Sequence, residues 1–170
     1  MFTLETERLR LREWREGDWE ALRPMHNDPE VMKFLGGELL NDEKIQSIER
    51  WMLEEFEKSG FCYWIVELKE TEETIGLCGV THKTDDDYYD YGWRIAREHW
   101  SRGYVTEAAG AVKKYAFDTL NLPKLTSTAL TENVGSINVM KKMGMQYIED
   151  FDTQWGLSVR YELENPGVGV

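Results

Sequence analysis

From residue 88 to residue 144 the chain alternates strand, helix, strand and helix, and that order restricts its fold more than any other feature. Residues 88–95 are rich in aromatic and β-branched side chains, as a strand requires. Residues 104–120 then place Ala108, Val112, Tyr115 and Ala116 at helical spacing. Pro123 breaks the chain, residues 125–130 read as a second strand, and Asn133 caps a helix carrying Ile137, Met140 and Met143 that stops at Gly144. A helix between two strands of one sheet implies a right-handed parallel crossover. Strands at about 146–153 and 155–164 follow.

The first half is antiparallel in character. Residues 4–14 alternate enough to be one strand, and Asp18 stands where an N-cap would open a helix containing Trp19, Leu22 and Met25, with Pro24 kinking or shortening it. Asp28-Pro29 marks a second helix start, running to Leu35, because the Asp satisfies one free amide and Pro removes another. A longer helix follows Asp42, with Ile45, Ile48, Trp51, Met52 and Phe56 at helical spacing before Gly60. Residues 61–69 and 75–81 make neighbouring strands joined by a polar turn. The expected class is α/β (α+β): a mixed, mostly antiparallel sheet with one parallel pair, flanked by helices. With no repeat or linker, residues 1–170 are expected to form one domain.

No apolar run reaches the roughly 18 residues needed to span a bilayer, and the start alternates charge with Leu, so a cytoplasmic protein without a membrane partner is expected. Asp and Glu number 32 against 20 Lys and Arg, for a formal charge of -12, which repels a nucleic-acid backbone and suits an amine or cationic substrate. Such an excess is also the ordinary dress of a solvated surface. Cys62 and Cys78 lie in strand-like stretches without Cys-x-x-Cys or clustered His, so two reduced, buried thiols and no metal are expected.

The chemistry concentrates between Tyr91 and Ala108, where a strand runs through a short polar loop into a helix start. The first amides of a helix lack internal partners and its dipole puts partial positive charge there, so an anion can collect several hydrogen bonds. Gly103 allows close backbone approach, Arg102 adds a charged donor and Thr106 a hydroxyl, a set that suits a pyrophosphate. Neither a Gly-Lys-Ser/Thr ending nor Gly-x-Gly-x-x-Gly is present, so nucleotide hydrolysis and dinucleotide binding lack their loops. The competing reading is an ordinary strand-to-helix connection.

Trp100-Ser101-Arg102-Gly103-Tyr104-Val105-Thr106-Glu107-Ala108 resembles the Trp-Gly-Lys-Gly-Tyr-Ala-Thr-Glu-Ala loop of the GNAT superfamily of N-acetyltransferases, in the branch of the ribosomal-protein N-terminal (Rim-type) enzymes. Glu7-Arg8-Leu9-Arg10-Leu11-Arg12 is similar to that family's opening, and Asp28-Pro29-Glu30-Val31-Met32 to its next helix. Downstream, Asn133 to Met145 resembles its Asn-x-x-Ser-x-x-x-x-x-Lys-x-Gly-Phe helix, so nearly the whole chain is covered. Three positions depart: Trp100 stands where the wider superfamily has Gln or Arg, Val105 replaces Gly or Ala and crowds the phosphates, and Met145 replaces Phe.

The resemblance implies acetyl-CoA in the gap between two parallel strands, residues 88–95 and 125–130. It implies that backbone groups of Trp93, Arg94 and Ile95 line the pantetheine, that Arg102, Gly103, Val105 and Thr106 hold the pyrophosphate, and that Asn133 contacts the cofactor. Asn133 is equally suited to capping its helix. Direct attack by a neutral amine needs an aligned carbonyl, a base, and a proton for the leaving thiolate. Asp90 is the expected base and Ser136 the expected proton donor, with Asp87, His82 and Glu98 as alternatives for the base; a first-turn surface Ser is the plainer reading of Ser136. Tyr88, Tyr89 and Trp93 either line an acceptor groove or pack a core. The expected acceptor is a protein or peptide N-terminal amine. The alternatives are a small amine, polyamine or aminoglycoside-like, and a non-catalytic acyl-CoA-binding sensor, in either case a monomer or homodimer.

Overall fold

Strand and helix periodicities along the chain resolve, in a computed structural model that describes residues 2–168, into one sheet with helices on both faces. The strands are β1 (Thr3–Glu5), β2 (Leu9–Arg12), β3 (Tyr63–Leu68), β4 (Thr74–Lys83), β5 (Tyr88–Ile95), β6 (Lys124–Leu130), β7 (Gln146–Thr153) and β8 (Gly156–Glu164). The helices are α1 (Asp18–His26), α2 (Pro29–Met32), α3 (Asp42–Ser59), α4 (Tyr104–Asp118) and α5 (Val134–Lys142). The sheet order is β1-β2-β3-β4-β5-β6-β8-β7, and among the described residues every neighbouring pair is antiparallel except β5 and β6. The expected mixed sheet with one parallel crossover through α4 is therefore the observed one.

Period-2 alternation divides the core between the two faces. Trp64, Val66, Tyr91 and Leu125 face α4 and α5 and pack with Ala108, Val112 and Met140. Ile65 and Leu77 face the other way, against Leu22 and Met25 of α1, Val31 of α2 and Met52 of α3. Cys62 and Cys78 are buried and free, as expected.

Two expectations from the sequence are corrected. Residues 4–14 are not one strand: β1 and β2 form an antiparallel pair with Leu4 opposite Leu11. The chain reverses at Thr6, whose hydroxyl accepts from the Leu9 amide at 2.9 Å, and the alternation runs on across this tight turn and so hides it. Nor does Asp18 cap α1. The N-cap is Gly17, and Asp18 turns away to pair with Arg12 at 2.7 Å. The open amides of Gly17 and Trp19 donate instead to the Glu49 carboxylate of α3, at 3.2 and 2.9 Å. α1 is thus capped by a distant helix, and the pair α1–α3 is fixed at that point. Pro24 falls inside α1, which ends two residues later. Asp28 caps α2 as expected, its side chain accepting from the Glu30 amide.

Arg12 is the electrostatic anchor of this half. Almost fully buried, it grips Asp18 through two hydrogen bonds of 2.7 and 2.8 Å and Glu67 of β3 through one of 2.6 Å. Removing the guanidinium would strand two buried carboxylates.

His26, at the end of α1, is fully buried, and neither ring nitrogen has a hydrogen-bond partner among the described residues. Burial, reinforced by the nearby Arg94 guanidinium, pushes its imidazole down to about 4 from 6.5. Below pH 6.5 the unfolded chain takes up a proton that the folded chain refuses, so stability falls from there to about pH 4. The pKa difference corresponds to about 3 kcal/mol at the acid end of the window. His26→Leu should remove that part of the pH dependence in urea titrations, and a variant whose stability declines as steeply as the parent between these pH values would contradict it.

Candidate active site

β5 pairs with β4 along its whole length, from Gly76 opposite Ile95 to Lys83 opposite Tyr88, whereas its parallel register with β6 is the single pair Asp90 and Thr126. Beyond Asp90 the two strands part. The Ala96 amide donates to Ile75 of β4 at 2.8 Å, so by strand alternation the backbone of Arg94 also faces β4, while the amides of Trp93 and Ile95 face the gap. The Ile95 carbonyl is taken by the Trp100 indole N–H at 2.9 Å. Of the three backbones expected to meet pantetheine, Trp93 and Ile95 are free to do so; that of Arg94 is not, because Leu77 uses it, and Arg94 contributes a side chain instead.

A cleft of about 500 Å³ occupies this gap, and two helix N-termini open onto it. The first belongs to α4. Gly103, at φ 81, is its N-cap without any side-chain cap, so the amides of residues 104–106 are not closed off by a polar side chain. The acidic residue of the first turn, Glu107, faces away: it accepts from the Thr6 hydroxyl at 2.6 Å and from the Arg8 amide and Nε at 2.8 and 2.7 Å. Burial pushes the Glu107 carboxyl up, and these donors more than offset that and hold it below the usual range. Arg8 also donates to the Arg102 carbonyl at 3.0 Å and lies 4.5 Å from the Tyr104 ring centroid, which ties the β1–β2 turn to the loop that precedes α4. Gly103, Val105 and Thr106 line the cleft; Arg102, expected beside them, is exposed and lies outside the lining.

The second N-terminus is that of α5, where Asn133 caps the helix by accepting from the Ser136 amide at 3.1 Å. Both residues line the cleft, as do Asn138, Val139 and Lys142 farther along the same helix face. Gly135, Asn138, Val139 and Lys142 stand at i, i+3, i+4 and i+7, a spacing legible in the sequence as one helix face.

The other face of β5 carries Asp90, Gly92 and Arg94. Asp90 lies at the closed end of the gap, outside the cleft lining, and accepts a 2.5 Å hydrogen bond from the Tyr63 hydroxyl. Burial raises the Asp90 carboxyl above its ordinary range, against the opposing pull of Tyr63 and Lys83. Tyr63 reaches it by crossing over Gly92, where an added Cβ would lie 2.8 Å from the hydroxyl oxygen. His82 and Asp87 pair with each other at 3.0 Å at the exposed β4–β5 turn, and Glu98 is exposed, so neither site competes with Asp90 for a place beside the gap. Tyr89 stacks on His82 and packs with Phe61, whereas Trp93 does line the cleft.

On the side of α2 the mouth is formed by Val31, Phe34 and Leu35. Next to Leu35, the Trp155 indole from the β7–β8 turn lies against Gly36. Gly36 and Trp155 are 119 residues apart, so their contact is not legible in local spacing.

Residues 8–146 match the family model described as an acetyltransferase (GNAT) domain. The chain is 33% identical over 147 residues to YkkB of Bacillus subtilis, covering 85% of each protein. It is 31% identical over 147 residues to the N-acetyltransferase YoaA of the same organism, covering 84% of this chain and 82% of that one. Among solved structures, an acetyltransferase from Agrobacterium tumefaciens superposes with a TM-score of 0.83 at 28% identity, covering 96% of this chain and 95% of the other.

Gly92→Ala should force the Tyr63 ring aside, break its bond to Asp90 and cost about 1–3 kcal/mol in denaturant unfolding. A variant as stable as the parent would show that the ring does not depend on the missing side chain.

Proposed function

The chain belongs to the GNAT acetyltransferase family, and from that membership we propose that it carries an acetyl group from acetyl-CoA to a primary amine by direct attack, with a protein or peptide α-amine as acceptor. One observation carries the reading: the gap between β5 and β6 opens with free strand amides on one wall and the bare N-terminus of α4 at its end. Acetyl-CoA supplies the activated acetyl group. The residues fit it: uncapped amides after Gly103 suit a pyrophosphate, Lys142 adds positive charge, and an edge of unpaired strand backbone suits the amide-bearing pantetheine arm.

The Trp93 amide is the donor placed to hold the thioester carbonyl and the charge that develops on it. Asp90, with its carboxyl raised toward neutrality by burial, takes the amine proton through water or the Tyr63 hydroxyl it already holds. Ser136, in the first turn of α5, returns a proton to the departing sulfur. Transfer needs no covalent enzyme intermediate. Both thiols are buried, burial pushes Cys62 up to about 12 and Cys78 higher still, and the described cleft lining contains neither.

Acetyl-CoA titrated calorimetrically should bind, and thiol release should accelerate with amine acceptors; binding without release from any amine would leave only a sensor. Asp90→Asn should lower kcat by about 10²–10⁴-fold with acetyl-CoA affinity retained. The acid limb of kcat/KM should lie above the ordinary carboxylate value of 3.8. Tyr63→Phe removes a donor that favours the charged carboxylate and should move that limb to higher pH. An Asp90→Asn enzyme with parental kcat at every pH would remove Asp90 from the mechanism.

A further inference from the structure

We infer that the acceptor carries a carboxylate beside its amine, and that the Arg94 guanidinium in the cleft is what binds it; this rests on the transferase reading above. Arg94 is the anomaly of the site. It lines the cleft, its Nε is sealed from solvent without a hydrogen-bond partner, and it forms no ion pair among the described residues. Arg12, more deeply buried than the half-buried Arg94, is clamped by Asp18 and Glu67. A shortage of acids does not explain the difference, since Asp and Glu outnumber Lys and Arg by 32 to 20. An uncompensated cation in a low-dielectric site is costly, and such a site persists where a ligand supplies the missing charge.

The cleft lining holds one carboxylate, Glu132 in the β6–α5 connection, and it forms no ion pair with Arg94 among the described residues. His26 of α1 is fully buried and neutral above about pH 4, and Tyr63 of β3 already spends its proton on Asp90. The α2 side of the cleft contributes Val31, Phe34 and Leu35, which exclude water without adding charge.

Sidedness separates Arg94 from the phosphates of acetyl-CoA. The Tyr91 hydroxyl donates to the Ala109 carbonyl, so odd-numbered residues of β5 face α4 and its anion loop. Arg94 therefore shares the opposite face with Asp90, the proposed proton acceptor, with only Gly92 between them. A planar guanidinium with two parallel donors matches a carboxylate. The same charge repels a second ammonium, so a polyamine is disfavoured here.

The test measures kcat/KM for matched acceptors: free amino acids against their amides, peptides with an acidic second residue against the same peptides with the neutral amide residue, and spermidine. The carboxylate-bearing member of one series should lead its neutral partner by between about 10- and 100-fold, the factor expected for a charge-assisted hydrogen bond. The leading series tells a free amino acid from an acidic peptide end. Arg94→Met should collapse that ratio, and Arg94→Lys should restore part of it, since the charge returns without the fork. Acetyl-CoA affinity should not move in either variant, and the melting temperature of Arg94→Met should hold or rise, because a half-buried charge without a partner has been removed.

Equal use of acids and amides, or spermidine as the preferred acceptor, would overturn the inference. So would an unchanged ratio in Arg94→Met, a loss of acetyl-CoA binding, or a fall in melting temperature, each of which assigns Arg94 to another task. Failure of the transferase reading itself is told apart by thiol release, which would then be absent with every amine.

Discussion

A sheet strand that loses its neighbour leaves amides and carbonyls without partners, and in this protein that happens on purpose along β5 beyond Asp90. β4 satisfies one edge of β5 through to Ile95, while β6 stays only for the pair at Asp90 and Thr126. The exposed edge would be costly if it stayed dry and unpaired. A ligand that is itself an extended chain of amides is the natural occupant, and every other part of the site is arranged around that opening. The α4 and α5 N-termini converge on it because both helices begin where a strand bordering the gap ends.

The frame that keeps the gap open is built from charge satisfied at a distance. Glu107 in α4 holds Thr6 and Arg8, and Arg8 in turn holds the Arg102 carbonyl, so the first strand pair braces the loop before α4. On the opposite face Arg12 joins Asp18 to Glu67, and Glu49 closes the open start of α1. These clusters show what a resolved ionic site looks like in this chain. Against them, Arg94 has no ion-pair partner among the described residues, and burial holds the Asp90 carboxyl above its ordinary range with Tyr63 as its donor.

Much of this was legible in advance, for identifiable reasons. Periodicity found β5 with its observed bounds, because Tyr88 to Ile95 is dense in aromatic residues and bounded by polar turns. Asn133 was readable as a cap because the interaction is local, three residues along the same helix. Asp18 misled because the same local rule applied, yet a buried Arg12 offered the carboxylate a stronger partner and Glu49 took over the cap. The β1–β2 turn was missed because a hydroxyl at Thr6 makes it, without the Gly or Pro that normally marks one.

The sequence by itself determined most of the element types, the parallel crossover and the family, since these follow from spacing and motifs along a few tens of residues. Only the tertiary structure decided that the Arg94 backbone is consumed by β4 while its side chain has no ion-pair partner among the described residues, that Tyr63 lies over Gly92 to reach Asp90, and that Trp155 packs against Gly36. Those facts depend on which face a residue shows and what distant segment meets it there. Sheet order and side-chain burial set them, and neither is written in local spacing.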